Sequence, residues 1–244
     1  MILELDCGNS RIKWRQLEPA GTIRSRGVCS GLHELQQVLQ SHQQSFSLIR
    51  YCSVRDGDFA ARLAELLQQY SGSLLQARSQ RQQAGVTNAY EEYWRLGSDR
   101  WLVMLAGYQR CGGNCVIVDC GTAITVDFIN AAGQHLGGVI APGLRLLQQS
   151  LPQATGLRQP EVLVSSELRY GDNTELALAA GINSMCRGFF ACQAQTATEL
   201  FGVDSQIIMT GGDAGELHQF YPQAQLAPEL LFEGLALVGA EAGQ

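Results

Sequence analysis

Asp6-Cys7-Gly8-Asn9-Ser10, which follows Met1-Ile2-Leu3-Glu4-Leu5, and Asp119-Cys120-Gly121-Thr122-Ala123, which follows Cys115-Val116-Ile117-Val118, are two copies of one short pattern. Each is an apolar strand that ends in Asp, turns through Gly and a small polar residue, and resumes as β-rich sequence (Ile12-Lys13-Trp14 and Ile124-Thr125-Val126). The copies lie about half the chain apart. One Asp-x-Gly-Asn turn is an ordinary hairpin. Two turns with the acid in the same place imply a duplicated unit, with two carboxylates and two glycine turns facing each other across a cleft. Backbone N–H groups after each Gly can approach phosphate oxygens there, and the carboxylates can hold Mg²⁺ directly or through water.

The elements outward from these turns repeat the same plan. The first half reads as strands at 2–6, 10–16 and 21–28, a helix at 31–42, a strand at 47–53, a helix at 57–70 and a strand at 73–77. The second reads as strands at 115–119, 122–129 and 134–140, helices near 143–151 and 173–200, a strand at 205–210 and a last helix at 229–241. Arg11 to Leu17 alternates polar with apolar residues, the pattern of a half-buried strand. Phe59, Leu63, Leu66 and Leu67 form the core stripe of a helix. The Gln-rich stretches Gln36-Gln37, Gln43-Gln44 and Gln80 to Gln83 read as solvated helix faces and a loop. Three strands followed by alternating helix and strand, present twice, indicate an α/β protein of duplicated domains. The division falls at 1–95 and 96–244.

Composition narrows the class. The 244 residues suffice for two cores. A hydrophobic content of 45% and a charged content of 16% are those of a soluble globular chain. A net charge of −6 and a pI near 5.2 argue against a nucleic-acid surface. The local cluster Arg11-Lys13-Arg15 still offers contacts to a small anion. No apolar run approaches the roughly 18 residues of a membrane span, and no leader precedes the first strand, so the expectation is a cytoplasmic protein with no membrane partner. The cysteines at 29, 52, 115, 120, 186 and 192 lie in apolar strands and helices and read as reduced, buried thiols. Cys111, Cys115 and Cys120 lack the spacing of a zinc site, and Cys7 and Cys120 read as packing residues.

Further groups carry chemistry. Around the first turn Asn9 and Ser10 supply donors, Lys13 a positive charge and Asp6 a metal ligand. Thr210-Gly211-Gly212-Asp213 ends another strand; its glycines admit a flat ligand such as adenosine, and Asp213 is placed to cap a helix. Gly97-Ser98-Asp99-Arg100 opens a helix after Tyr90, Tyr93 and Trp94. Two readings of it stand: an acid that complements the helix dipole beside an exposed Arg, or a carboxylate that accepts a substrate's hydroxyl proton beside an Arg that pairs with an anion. His33, His42, His135 and His218 share no motif. No Gly-x-Ser-x-Gly elbow and no P-loop is present.

With these residues in view, the whole chain resembles the type III pantothenate kinases, CoA-pathway enzymes of the acetate and sugar kinase/heat-shock chaperone/actin superfamily. The family's Asp-x-Gly-Asn-[Thr/Ser]-x-x-Lys matches Asp6 to Lys13, with Ser10 where Thr is commoner. Its Gly-x-Asp-Arg matches Gly97 to Arg100, preceded by Asn88-Ala89-Tyr90. The second phosphate motif matches Asp119 to Ala123, and Gly-Gly-x-Ile-x-Pro-Gly matches Gly137 to Gly143. Gly-x-x-Thr matches Gly171 to Thr174, and Thr-Gly-Gly matches Thr210 to Gly212.

The resemblance implies two RNase H-like (actin-like ATPase) domains with mixed five-stranded sheets, and ATP-dependent phosphorylation of pantothenate. Asp6, Cys7, Gly8, Asn9, Ser10, Arg11, Ile12, Lys13 and Thr122 would bind ATP, together with Gly211 and Gly212. Tyr90, Gly97, Ser98, Asp99, Arg100 and Thr174 would bind pantothenate, with Asp99 as proton acceptor. Asp119 would hold a monovalent cation, K⁺ or NH₄⁺, and Asp6 the Mg²⁺ that accompanies ATP. A homodimer with the pantothenate pocket near the subunit interface is implied as well. The rival readings are a sugar or carboxylate kinase of the same superfamily, and a non-enzymatic regulator.

Overall fold

The computed structural model describes residues 1–41, 45–158, 164–203 and 205–241; His42 and Gln43-Gln44 lie outside them. By internal contacts the chain forms two units. The first is Met1–Ala84 with Tyr90–Ala106 and Leu230–Gln244; the second is Gly85–Ala89 with Gly107–Glu229. Residues 96–106 and the last helix thus group with the first unit, whereas a single cut after residue 95 assigns them to the second half.

The first unit holds β1 (Ile2–Cys7), β2 (Ile12–Leu17), β3 (Ile23–Cys29), α1 (Leu32–Ser41), β4 (Leu48–Ser53), α2 (Asp58–Gln68) and β5 (Leu74–Gln76). Next in sequence come two-residue strands, β6 (Gln82–Gln83) and β7 (Val86–Thr87), the latter grouped with the second unit, and then α3 (Ser98–Cys111), which is grouped with the first unit as far as Ala106. The second unit has β8 (Cys115–Cys120), β9 (Ala123–Ile129), β10 (His135–Pro142), α4 (Leu144–Thr155), α5 (Thr174–Phe201), β11 (Gln206–Thr210), α6 (Ala214–Leu217) and β12 (Gln225–Leu226). The closing helix, α7 (Leu230–Glu241), belongs to the first unit.

The sheet orders are β3-β2-β1-β4-β5 and β10-β9-β8-β11-β12. In both, the strand that ends in the Asp-x-Gly turn is central. It pairs antiparallel with the strand after it and parallel with the strand on its other side. The duplication read from the two turns is therefore a duplication of topology.

Side-chain alternation explains what each face of the first sheet carries. Leu3, Leu5 and Cys7 of β1 enter a core with Leu35 and Leu39 of α1, Ile49 of β4, and Leu63 and Leu67 of α2. Glu4 and Asp6 point the other way. Glu4 is fully buried, opposite Arg15 of β2 and Arg50 of β4 in register, and forms ion pairs with both. The Arg50 Nη2–Glu4 Oε1 separation is 2.6 Å. Arg15 stacks on the Phe232 ring at 4.7 Å, and Arg50 Nη1 donates to the Ala236 carbonyl at 3.4 Å, so this triad also anchors α7.

Two sequence readings change here. The Arg11-Lys13-Arg15 cluster does not act as a unit, because Arg15 is turned into the interior by its partner Glu4. Nor is β2 half-buried: Trp14 to Leu17 are all buried, since β2 lies inside the sheet with a strand on each side.

The core of the second unit gathers Val116 and Val118 of β8, Phe128 of β9, Phe190 of α5 and Tyr221. Cys192 is exposed on α5, contrary to its expected burial, while Cys7, Cys29, Cys52, Cys115, Cys120 and Cys186 are buried free thiols. Among the described residues no helix is long and apolar enough to cross a membrane.

Candidate functional site

In the first unit the site begins one alternation step above the buried Glu4 triad. Asp6 stands opposite Lys13 on β2 and Cys52 on β4. Lys13 Nζ lies 3.9 Å from Asp6 Oδ2, a loose pair with the lysine partly in water. Burial pushes the Asp6 carboxyl up to about 6; Lys13 opposes the shift and the charge of Asp99 adds to it. An acid this reluctant to ionise without further positive charge is a fitting ligand for an added cation. The turn itself presents exposed Asn9, Ser10 and Arg11, while Cys7 and Ile12 are buried, so those two residues offer only backbone to a ligand.

The N-terminus of α3 meets the end of β4 beside this turn. Ser98 Oγ lies 3.2 Å from Cys52 Sγ and donates to the Ser53 carbonyl at 3.3 Å. That contact places Asp99 within electrostatic reach of Asp6. Asp99 Oδ1 accepts the Arg100 N–H at 2.8 Å, which fixes the carboxylate at the helix start. A Cβ at position 97 would stand 2.5 Å from Asp99 Oδ1, so a side chain there would displace that carboxylate.

Arg100 is buried, not the exposed helix-start residue of the structural reading, and its Nη1 donates to the Tyr90 hydroxyl at 3.2 Å. Asp6, Lys13, Tyr90 and Gly97 to Arg100 are therefore assembled within one unit.

Residues that the sequence reading passed over hold this assembly. Arg81 donates to the carbonyls of Tyr90 and Glu91, and its guanidinium lies 5.5 Å from the centre of the Tyr93 ring. Gln83 is not a solvated loop residue, since its Oε1 accepts the Trp101 indole N–H at 3.1 Å. Ser79 Oγ donates to the Leu96 carbonyl at 2.8 Å. A glutamine-rich run gives no periodic signal, so its tertiary hydrogen bonds were invisible in sequence.

In the second unit Asp119 is the penultimate residue of β8, in register with Thr210 of β11. Gly211 takes φ +98°, and a Cβ there would stand 2.4 Å from the Cys120 carbonyl oxygen and 2.5 Å from Asp119 Oδ1. The backbone after β11 is thus pressed against the Asp119 turn, and the Asp213 N–H donates to the Cys120 carbonyl at 2.9 Å. Gly143 closes over the same turn: its N–H donates to the Thr122 carbonyl at 3.0 Å, and a Cβ would meet the Gly121 carbonyl at 2.3 Å.

Asp119 is partly buried among these carbonyls, and Thr122 and Gly212 are exposed. One carboxylate among backbone oxygens is a donor set suited to a hard cation. Asp213 precedes α6, a four-residue helix, and makes no side-chain cap bond, so its expected capping role is not realised. Thr174 opens α5 one residue after Asn173, whose Oδ1 caps the Leu176 N–H at 2.9 Å. Among the described residues no three His, Cys, Asp or Glu side chains cluster as a self-sufficient metal site. Single carboxylates fit a Mg²⁺ that takes most of its ligands from nucleotide phosphate and water.

A family model described as type III pantothenate kinase matches residues 2–196. The type III pantothenate kinase of Azotobacter vinelandii is 40% identical over 97% of this chain and 98% of its own. That of Pseudomonas fluorescens is 41% identical with the same coverage of both chains. Among solved structures, a candidate Baf family transcriptional activator from Campylobacter jejuni superposes with a TM-score of 0.65 at 23% identity, over 99% of this chain and 98% of that one.

Proposed function

The chain belongs to the type III pantothenate kinase family, and we propose that Asp99 is the base in its ATP-dependent phosphorylation of pantothenate, a step of coenzyme A biosynthesis. The hydroxyl oxygen of pantothenate attacks the γ-phosphorus of ATP in line. The new O–P bond forms as the bond to the ADP oxygen breaks, and the hydroxyl proton passes to an Asp99 carboxylate oxygen. The transition state of such a transfer is loose, so positioning and electrostatics supply most of the barrier reduction.

The observation that supports this reading most is the docking of the start of α3 on the end of β4, next to the strand of Asp6, where Ser98 Oγ donates to the Ser53 carbonyl at 3.3 Å. It sets a fixed carboxylate beside the turn that is suited to phosphate. Asp6 to Lys13, with Thr122, Gly211 and Gly212, bind ATP. Tyr90, Gly97 to Arg100 and Thr174 bind pantothenate. Asp6 holds Mg²⁺, directly or through water, and Asp119 holds K⁺ or NH₄⁺. When bound, these cations offset negative charge on the phosphates.

The protein acts as a homodimer. Strand β10 is an open edge of its sheet and carries Leu136, Val139 and Ile140 exposed, a liability that a second copy would cover.

An acceptor panel tests the function. Purified protein with Mg·ATP is expected to form ADP and 4'-phosphopantothenate in equal amounts and to leave glucose and acetate unmodified. Transfer to glucose or acetate, or no transfer to any of the three, would replace this reading with one of its rivals.

A further inference from the structure

The turn that carries Tyr90 is held from two sides. At the ring end, buried Arg100 donates through Nη1 to the Tyr90 hydroxyl at 3.2 Å, with its guanidinium carbon 5.9 Å from the ring centre. At the backbone end, Arg81 donates through Nη1 to the Tyr90 carbonyl at 3.0 Å and through Nη2 to the Glu91 carbonyl. The same guanidinium faces Tyr93, whose ring meets Trp94 edge-on at 5.1 Å. A guanidinium has a planar fork of donors, and here two tines take consecutive carbonyls while the face takes an aromatic ring. Lysine, a point charge on a flexible stem, cannot make all three contacts at once.

We propose that Arg81 is a positioning residue for the acceptor substrate: by clamping the Tyr90–Glu91 carbonyls it fixes the Tyr90 ring and, through the Tyr90 hydroxyl, the direction of the Arg100 guanidinium beside Asp99. The inference rests on the assignment of Tyr90 and Arg100 to the pantothenate site. Arg81 is exposed and lies outside the motifs that mark the family resemblance. Its hydrogen bonds go to the Tyr90 and Glu91 carbonyls, Arg100 is reached only through the Tyr90 hydroxyl, and none of these contacts reaches the Asp6 turn. Losing it should therefore loosen the acceptor side and spare the nucleotide side.

The test compares the full-length protein with Arg81→Gln and Arg81→Lys. The expected result for Arg81→Gln is a rise of about tenfold in KM for pantothenate, with KM for ATP within about twofold, and faster amide hydrogen exchange in residues 90–95. Arg81→Lys should recover part of both effects. Unchanged exchange across 90–95 would overturn the clamp itself, whatever the substrate. Faster exchange with an unchanged pantothenate KM, or an equal rise in both KM values, would overturn the positioning role. Should Arg81→Gln fail to fold, Arg81→Lys carries the test, with an expected rise of about threefold. A wild-type protein that phosphorylates no pantothenate would instead refute the functional assignment, while the exchange comparison would still report on the clamp.

Discussion

Burial raises the pKa of Asp6, near the end of β1, and the charge of Asp99, at the start of α3, adds to the shift. A residue from a helix late in the first unit is thus brought toward the turn at its beginning. The link is concrete: Ser98 bonds the end of β4, and β4 runs parallel beside β1. A carboxylate fixed by its neighbour's N–H, next to a turn open to phosphate, is an arrangement suited to the proposed phosphoryl transfer to an alcohol.

The Asp6 carboxyl gives a pH prediction with a definite sign. Its native pKa is about 6, above its ordinary value of 3.8. Between these values the native state holds a proton that the unfolded state has released. Stability therefore falls as pH rises through that window. In metal-free buffer, Asp6→Asn should be more stable than the parent at pH 8, by on the order of 1–3 kcal/mol, and the difference should vanish below about pH 4. Urea unfolding at the two pH values checks this, and an Asn variant that is less stable at pH 8 would refute the account of Asp6.

The Glu4 triad is a second target. Glu4→Ala leaves two buried guanidinium groups without their shared carboxylate, which should cost about 3–5 kcal/mol in denaturant unfolding. A loss under about 1 kcal/mol would mean that water reaches these groups, contrary to their burial.

At the second turn, Gly211→Ala places a methyl group against Asp119 and the Cys120 carbonyl, at a φ that disfavours any side chain. Turnover should fall by more than about tenfold. In the parent protein, replacing K⁺ by Na⁺ should also lower the rate strongly. Equal rates in the two salts would remove the cation role of Asp119.

Much of this was legible in the chain because its signals are local. The two Asp-x-Gly turns, the strands around them and the start of α3 at Ser98 all follow from short-range pattern. What escaped depends on partners distant in sequence. Arg15 looks like a surface charge until Glu4 is seen opposite it. Arg81 and Gln83 sit in a run with no period, and their roles exist only once Tyr90 and Trp101 are beside them. His135 shares no motif with the other histidines, yet its Nε2 lies 3.0 Å from buried Asp127 of the neighbouring strand β9. Strands β6, β7 and β12, of two residues each, are too short for any periodicity.

The dimer has its own test. Ile140→Lys puts a charge on the exposed apolar edge of β10. Sedimentation of the parent should give twice the chain mass, and the variant should shift toward one chain mass. A parent that sediments as a monomer would contradict the assembly.

The role of Asp99 as the base is tested most directly by the turnover of Asp99→Asn, measured beside its ATP affinity. The substitution keeps the size of the side chain and removes the proton acceptor. The expected result is a fall in kcat of about 10²–10⁴-fold with ATP binding and unfolding free energy nearly unchanged. Near-full turnover in this variant would contradict that role.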